Sequence, residues 1–181
     1  MTQALVLIDL QNDYFPGGAM TLVGMEAAAE RAARVLDAFR SRGAPIVHLQ
    51  HVSTRPGATF FLPDTPGVGQ HASVAPRAGE AIVRKHFPNS FRDSELGTVL
   101  ANAGADALVI VGAMSHMCVD ATTRQAFDLG FECTVIADAC ATRDLQFGDE
   151  AVPAAKVHAA FMAALSAPYA RVIAAGEFTP A

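Results

Sequence analysis

The feature of this chain that most restricts its fold is the regular alternation of short apolar runs with amphipathic stretches. Runs typical of strands covered on both faces recur at Ala4–Asp9, Pro45–Val52, Glu80–Lys85, Ala107–Met114, Glu132–Asp138 and Ala170–Ala175. Stretches with helical spacing of apolar residues lie at 24–43, 94–104, 116–130 and 149–165. The alternation predicts one Rossmann-like α/β domain over residues 1–181, a three-layer α/β/α arrangement with a mainly parallel six-stranded sheet.

Composition and charge exclude several classes of protein. Of the 181 residues, 51% are hydrophobic and 17% are charged, which is typical of a folded globular chain. The net charge of −5 argues against a general nucleic-acid binder, because such proteins present a basic face to phosphates. No apolar run approaches the ~20 residues of a membrane helix, and no G-x-G-x-x-G motif follows the first strand. Neither a membrane nor NAD is therefore an expected partner.

The cysteines indicate a reducing compartment. There are three, Cys118, Cys133 and Cys140, and an odd number without a secretory signal is typical of reduced thiols in a cytoplasm. The N-terminal apolar run is short and ends in an aspartate, so it predicts a first strand and not a signal peptide. We therefore expect a cytoplasmic protein in which Cys133 and Cys140 are packing residues.

One long segment, Ser53–Gly79, has no regular pattern. It contains four prolines and several glycines, and a loop of this length in a compact domain is usually functional or a lid. The adjacent aromatic residues Phe60 and Phe61 lie in it. We expect them to cover a pocket or to contact a neighbouring subunit, and the sequence leaves both alternatives open.

Three reactive residues lie at or just beyond the carboxyl ends of predicted strands, where ligands bind in open parallel sheets. Asp9 ends the first strand, Lys85 ends the third, and Cys118 follows the fourth near a helix start. A helix N-terminus and a nearby ammonium both stabilise a thiolate, and a carboxylate can relay protons, so together they suit nucleophilic acyl transfer. Each residue also has an ordinary explanation: a buried cysteine, a turn aspartate and a surface lysine.

Three motifs in these regions resemble those of the isochorismatase-like cysteine hydrolases, which include nicotinamidases. They are "LIDLQNDYF", "KHFPNSF" and "VGAMSHMCVDATTRQAFDLGF", in the order and spacing of that family. The resemblance implies the isochorismatase-like hydrolase fold and a catalytic triad of Asp9, Lys85 and Cys118. It also implies a cis peptide bond between Ala113 and Met114, and an oxyanion hole formed by the amides of Met114 and Cys118.

The resemblance further implies the activity and the partners of the protein. Hydrolysis of a small-molecule amide through a thioester, without a cofactor, is the implied reaction, since relatives that cleave the vinyl ether of isochorismate can lack the cysteine. Vinyl-ether hydrolysis and a non-catalytic relative of the fold remain as alternatives. Tyr14, Phe91 and Met117 match substrate-binding positions, with simple packing as their alternative role. A homo-oligomer, either a dimer or a tetramer, is also implied.

No metal site is predicted. The nicotinamidases have an Asp-x-His metal motif after the second strand, whereas this chain reads "HLQHVSTRPGATFF" there and has no matching aspartate. His48 and His51 are three residues apart, so on a strand they point to opposite faces. Ser115 and His116 are sequence neighbours, which makes a productive serine–histidine contact unfavourable, and His116 is interpreted as a cap or surface residue.

Overall fold

The centre of the protein is a six-stranded sheet in which every pair of neighbouring strands is parallel. The computed structural model describes residues 2–179, so residues 1, 180 and 181 of the predicted domain lie outside the described part. The strands are β1 (Gln3–Ile8), β2 (Ile46–His51), β3 (Ala81–Lys85), β4 (Ala107–Ala113), β5 (Glu132–Ala141), β6 (Leu145–Phe147), β7 (Glu150–Val152) and β8 (Arg171–Ile173). The sheet order is β3-β2-β1-β4-β5-β8, and β6 and β7 form a separate antiparallel hairpin.

Helices cover both faces of the sheet and give the predicted three layers. They are α1 (Met25–Ser41), α2 (Leu96–Asn102), α3 (Asp120–Asp128) and α4 (Ala154–Leu165). Successive side chains of a strand point to opposite faces, so Leu5 and Leu7 of β1 pack with the apolar side of α1. Val6 and Ile8 face the other core, which contains apolar residues of α2, α3 and α4. The predicted α/β/α fold with a parallel sheet is therefore confirmed, and β1 and β4 are its central strands.

The predicted elements differ from the observed ones mainly around α4. The helix predicted over 149–165 begins only at Ala154, and residues before it form the β6–β7 hairpin. Pro153 lies directly before the helix, and the carboxylate of Asp144 accepts a hydrogen bond of 2.7 Å from the amide of Ala154. Proline lacks an amide hydrogen, and a carboxylate that caps the next residue fixes the start of a helix at that point.

The long segment Ser53–Gly79 is fixed against the chain that follows β1. The side-chain amide of Gln11 donates to the carbonyl of Val68 at 2.8 Å. The carboxylate of Asp13 accepts a hydrogen bond of 2.6 Å from the amide of Phe61, whose ring is fully buried. These contacts place part of the segment next to the carboxyl end of β1. Within residues 2–179, no helix has both the length and the apolar content needed to cross a membrane.

Candidate active site

The parallel sheet brings Asp9 and Lys85 into direct contact. Asp9 follows the last residue of β1, and Lys85 is the last residue of β3, with β2 between the two strands. The Nζ atom of Lys85 lies 2.8 Å from Oδ2 of Asp9, and both side chains have an exposed fraction of 0%. The structure therefore places a charged pair inside the core, in a position where a lone lysine would be strongly unfavourable.

The ammonium of Lys85 has an acceptor for each of its three N–H groups. Besides Asp9, it lies 3.1 Å from the carbonyl of Phe87 and 3.1 Å from Nδ1 of His51. An ammonium has no lone pair, so Nδ1 of His51 must be the acceptor and the imidazole hydrogen resides on Nε2. Burial lowers the pKa of His51 to about 4, which keeps the ring neutral at physiological pH.

Cys118 lies in a short π-helical turn, Ser115–Val119, that connects β4 to α3. The amide of Val119 donates to the carbonyl of Met114 at 3.2 Å, which closes the wide turn. The peptide bond between Ala113 and Met114 is cis, at the bond that the resemblance implied. Amides in the first turn of a helix lack the usual intrahelical partners, so such a turn can supply free N–H groups beside a side chain that lies in it.

The structure brings all three sequence-predicted catalytic residues together. Cys118 is almost fully buried. Its Sγ atom, a carboxylate oxygen of Asp9 and a ring nitrogen of His51 all lie within 4.8 Å of one another. Because Lys85 contacts both Asp9 and His51, the four side chains form one cluster at the carboxyl ends of β1, β2, β3 and β4.

The resting state of the thiol differs from the expected one. Burial raises the pKa of Cys118 well above its usual range, the carboxylate of Asp9 raises it further, and Lys85 opposes both by a smaller amount. Burial lowers the pKa of Lys85, but Asp9 and Cys118 outweigh burial and leave it raised. These effects favour the neutral thiol of Cys118, whereas the helix N-terminus and the nearby ammonium were expected to stabilise a thiolate.

One carboxylate oxygen of Asp9 has no hydrogen-bond partner among the described residues. Oδ2 accepts from Lys85, whereas Oδ1 is buried and has no hydrogen-bond partner among residues 2–179. A buried carboxylate oxygen without a partner is costly, and such groups often have a catalytic role. The carboxyl group of Asp9 lies beside the thiol of Cys118, and a carboxylate in this position can accept the thiol proton.

A cavity of about 170 Å³ opens next to Cys118. It is lined by Tyr14, His51, Ser53, Arg55, Phe60, His86, Phe87, Pro88, Met114, Met117 and Cys118. The predicted substrate-binding residues Tyr14 and Met117 therefore face the cavity, as does Phe60 of the long segment. The pKa of Tyr14 is raised well above its usual value, mainly by burial and to a smaller extent by Cys118 and Asp9. Its hydroxyl is therefore neutral.

Phe91 lies away from the cavity. Its ring stacks against Phe131 with a centroid distance of 6.1 Å, and it packs with the core beneath α2 and α3. The wall position expected for Phe91 is occupied by Phe87, which lies two residues after Lys85 and whose carbonyl accepts from the ammonium. The bend at residues 86–89 places Phe87, and not Phe91, at the wall of the cavity.

Several cavity residues were not singled out from the sequence as substrate-binding residues. In the sequence, His51 stands out only as a possible metal ligand, and no motif marks Ser53, Arg55 and His86 as site residues. A usable signal was present, because His51 ends β2 and Ser53 and Arg55 follow it at alternate positions, and alternating residues of an extended chain share a face. The irregular composition of Ser53–Gly79 concealed that short continuation of the strand pattern.

The other histidines and serines belong to structural contacts. Ser115 Oγ lies 2.8 Å from Nδ1 of His158, whereas Nδ1 of His116 lies 2.6 Å from the hydroxyl of Thr142. Ser115 and His116 thus bond to different partners. Cys133 and Cys140 are buried, and burial raises the pKa of their thiols to about 11 and about 12.

The two histidines of β2 have different environments. His48 Nε2 lies 2.9 Å from the carboxylate of Glu80, away from the catalytic cluster, whereas His51 contacts Lys85. The group that comes nearest to a metal-binding set is Asp9, His51 and Cys118. The ammonium of Lys85 contacts two of these three residues, and its positive charge opposes a cation at the same place.

Comparison with known proteins agrees with this fold. The family model described as the isochorismatase domain matches residues 3–175, and the chain therefore belongs to the isochorismatase family. The isochorismatase family protein YddQ of Bacillus subtilis is 51% identical over 172 residues, which cover 95% of this chain and 96% of YddQ. A crystal structure of a protein from Oleispira antarctica assigned to the isochorismatase hydrolases has a TM-score of 0.94 and 57% identity. It covers 97% of this chain and 95% of that chain.

Some relatives carry names that state a reaction. A streptothricin hydrolase of Streptomyces noursei is 38% identical over 156 residues, which cover 84% of this chain and 55% of that enzyme. A maleamate amidohydrolase of Pseudomonas putida and a nicotinamidase of Escherichia coli are each 27% identical, over 77% and 82% of this chain and 72% and 87% of the respective enzymes. The family thus includes hydrolases of small molecules, and some of them are amidohydrolases.

Proposed function

We propose that this protein is a cysteine hydrolase that cleaves a small amide through a thioester intermediate, with Asp9, Lys85 and Cys118 as its catalytic triad. The observation that carries the proposal is the different environment of the two carboxylate oxygens of Asp9. Lys85 holds one carboxylate oxygen at 2.8 Å, and the other oxygen has no partner within residues 2–179. A carboxylate fixed by an ammonium beside a buried thiol is suited to remove the thiol proton during attack.

The first stage forms the thioester. As Sγ of Cys118 attacks the amide carbonyl carbon, Asp9 accepts the thiol proton and the carbonyl oxygen becomes an oxyanion. The N–H groups of Met114 and Cys118 hold that oxyanion. Asp9 then donates the proton to the amide nitrogen, the carbon–nitrogen bond breaks, and ammonia or an amine leaves. The tie to Lys85 keeps Asp9 from reorienting between these two transfers.

The second stage releases the acid. Asp9 accepts a proton from a water molecule as the water oxygen attacks the thioester carbonyl, and the same N–H groups hold the second oxyanion. The carbon–sulfur bond then breaks, and the sulfur takes the proton from Asp9 to restore the thiol. The sum of both stages is amide plus water giving acid plus amine, so no redox partner or metal is needed for the balance.

The names of the relatives support the amide as the scissile group. Maleamate amidohydrolase and nicotinamidase act, by name, on carboxamides. In this chain the buried thiol lies beside the carboxylate and the ammonium, as nucleophilic amide cleavage requires.

The test is release of ammonia from a panel of small carboxamides, with Cys118→Ala as the control. We expect wild-type turnover and a loss of at least about 10³-fold in the variant, since a nucleophile has no substitute in this mechanism. Mass spectrometry of a rapidly quenched reaction is expected to find the acyl group on Cys118. Turnover that survives in Cys118→Ala, or cleavage without ammonia or amine release, would contradict the proposal.

A further inference from the structure

We propose that the substrate carries a carboxylate in addition to its amide, and that Arg55 binds this carboxylate. The inference rests on the proposed amide hydrolysis and adds the chemical class of the substrate. It predicts a short half-amide of a dicarboxylic acid, or a similar acid amide, as the molecule that fills the cavity beside Cys118.

The first argument is the direction of the chain after β2. His51 is the last residue of that strand, and the next residues continue without a helix or a reversal up to Arg55. His51, Ser53 and Arg55 occupy alternate positions, and all three line the cavity. The structure therefore provides a row of three polar side chains on one face of the chain, which starts beside the thiol and leads away from it.

The second argument is charge. Arg55 is permanently charged, and the residues that line the cavity within the described chain include no carboxylate. Its guanidinium forms no ion pair or hydrogen bond with any residue of 2–179. The positive charge of Arg55 acts on the site, because it is among the charges that lower the pKa of His51. A planar guanidinium without a partner at the wall of a small cavity is suited to a carboxylate, which it can bind through two parallel hydrogen bonds.

The third argument is the remaining lining. His51 presents its Nε2–H because Nδ1 accepts from Lys85, so it adds a neutral donor between the thiol and Arg55. Tyr14, Phe60 and Phe87 supply aromatic walls. The volume of about 170 Å³ is below the ~300–1,000 Å³ of sites for drug-sized ligands. The lining thus fits a short carbon chain with an amide at one end and an anion at the other.

The experiment compares matched amides that differ only in the carboxylate. Malonamate, succinamate and glutaramate are paired with acetamide, propanamide and butanamide, and kcat/KM is measured for each by ammonia release. For the best chain length we expect the acid amide to be preferred by about 10- to 100-fold, as for a hydrogen-bonded charge pair. Arg55→Gln is expected to abolish this preference, mainly by raising KM for the acid amide.

Three further arginine variants distinguish direct contact with the substrate carboxylate from a general effect of positive charge. Arg55→Lys is expected to retain part of the preference, because it keeps the charge but not the paired geometry. Arg143 acts on the pKa of Tyr14 without lining the cavity, so Arg143→Gln is expected to change the preference by less than about 3-fold. Arg34 is exposed on α1, and Arg34→Gln serves as the neutral control.

A binding measurement keeps this inference separate from the proposed reaction. Calorimetric titration of Cys118→Ala with succinamate and with propanamide is expected to give the tighter binding for succinamate, and Arg55→Gln in the same background is expected to remove the difference. Equal binding of the two ligands, or a preference that survives Arg55→Gln, would overturn the carboxylate inference whether or not turnover is seen. Loss of hydrolysis for every amide with the binding preference intact would instead contradict the proposed reaction alone.

Discussion

Nζ of Lys85 and Oδ2 of Asp9 lie 2.8 Å apart although 76 residues separate them in the chain, and neither side chain is exposed to solvent. The pair bridges β1 and β3 across the end of β2. Burial of two opposite charges is tolerated only when their geometry and remaining hydrogen bonds are satisfied. Here each N–H group of Lys85 has an acceptor. The atom of the pair that lacks a hydrogen-bond partner within residues 2–179 is Oδ1 of Asp9.

Asp9→Asn is expected to have opposite effects on turnover and on thiol reactivity. The carboxylate of Asp9 raises the pKa of Cys118, so its neutralisation lowers that pKa and increases the thiolate fraction at a given pH. We therefore expect faster alkylation by iodoacetamide at pH 8, together with a fall in kcat of about 10²- to 10⁴-fold from the loss of the general base. The alkylation rate of Cys118, followed by mass spectrometry with buried Cys133 as internal reference, is the measurement. Slower alkylation in the variant would contradict this account of the thiol.

Lys85→Met is expected to lower stability as well as activity. The substitution leaves the carboxylate of Asp9 buried without a counter-charge, which costs about 3–5 kcal/mol of the free energy of unfolding. Urea unfolding at pH 7 measures this loss. The double variant Asp9→Asn/Lys85→Met is the control, because it removes both charges and is expected to recover part of the stability but none of the turnover. Stability equal to wild type in the single variant would contradict a stabilising role for the Lys85–Asp9 pair.

Glu80 is expected to control part of the acid stability. Its hydrogen bonds with Arg40, at 2.6 and 2.9 Å, lower the pKa of Glu80 to about 2. Because the folded pKa is below the unfolded value of about 4.5, this stabilisation is complete above pH 4.5 and is lost as the pH falls toward 2. We expect Glu80→Gln to lower the free energy of unfolding by about 1–3 kcal/mol at pH 7 and to flatten the pH dependence between 4.5 and 2.

The measurement for Glu80→Gln is urea unfolding at a series of pH values. Glu150→Gln, in the exposed β6–β7 hairpin, is the matched control and is expected to stay within about 0.5 kcal/mol of wild type. His48 is also buried, and burial lowers its pKa from 6.5. The free energy of unfolding therefore falls as the pH drops below 6.5 and His48 takes up a proton, and this separate loss is expected to persist in Glu80→Gln. An unchanged slope between pH 4.5 and 2 would show that the Arg40–Glu80 pair does not contribute.

Gly112→Ala is expected to damage the site through the backbone. Gly112 has a φ of +124°, and an added Cβ would lie 2.0 Å from the carbonyl oxygen of Ile8, the residue before Asp9. Because that neighbour is backbone, relief requires β1 and β4 to move apart. We expect a large fall in the melting temperature and loss of turnover. Gly97→Ala, a helical glycine with open space around it, is the control and is expected to be neutral or slightly stabilising.

The fold and the positions of the proposed catalytic residues were predictable because both depend on local sequence. Continuous apolar runs identify parallel strands, and the end of each run gives the position of its last side chain. Asp9 and Lys85 are such ends, and Cys118 follows the most apolar run, β4. The parallel topology then brings these ends to one edge of the sheet, so the cluster required no knowledge of the loops.

The parts that were not predictable depend on loop paths and on burial. Phe87 and Phe91 are equally plausible wall residues in the sequence, and only the route of the turn between them decides which ring faces the thiol. The role of His51 emerges from its contact with Lys85, which belongs to another strand. The raised pKa of Cys118 follows mainly from exclusion of water, a property of the assembled core that no motif encodes.

The position of the long segment Ser53–Gly79 in the chain has a consequence for how the site can be assembled. Asp9 and His51 precede the segment, whereas Lys85 and Cys118 follow it, and the β2–β3 pairing joins the two parts. Neither part contains a complete catalytic set. If the proposed amide hydrolysis holds, a backbone break within Ser53–Gly79 would therefore give a two-fragment complementation pair, in which amide turnover reports the association of the two halves.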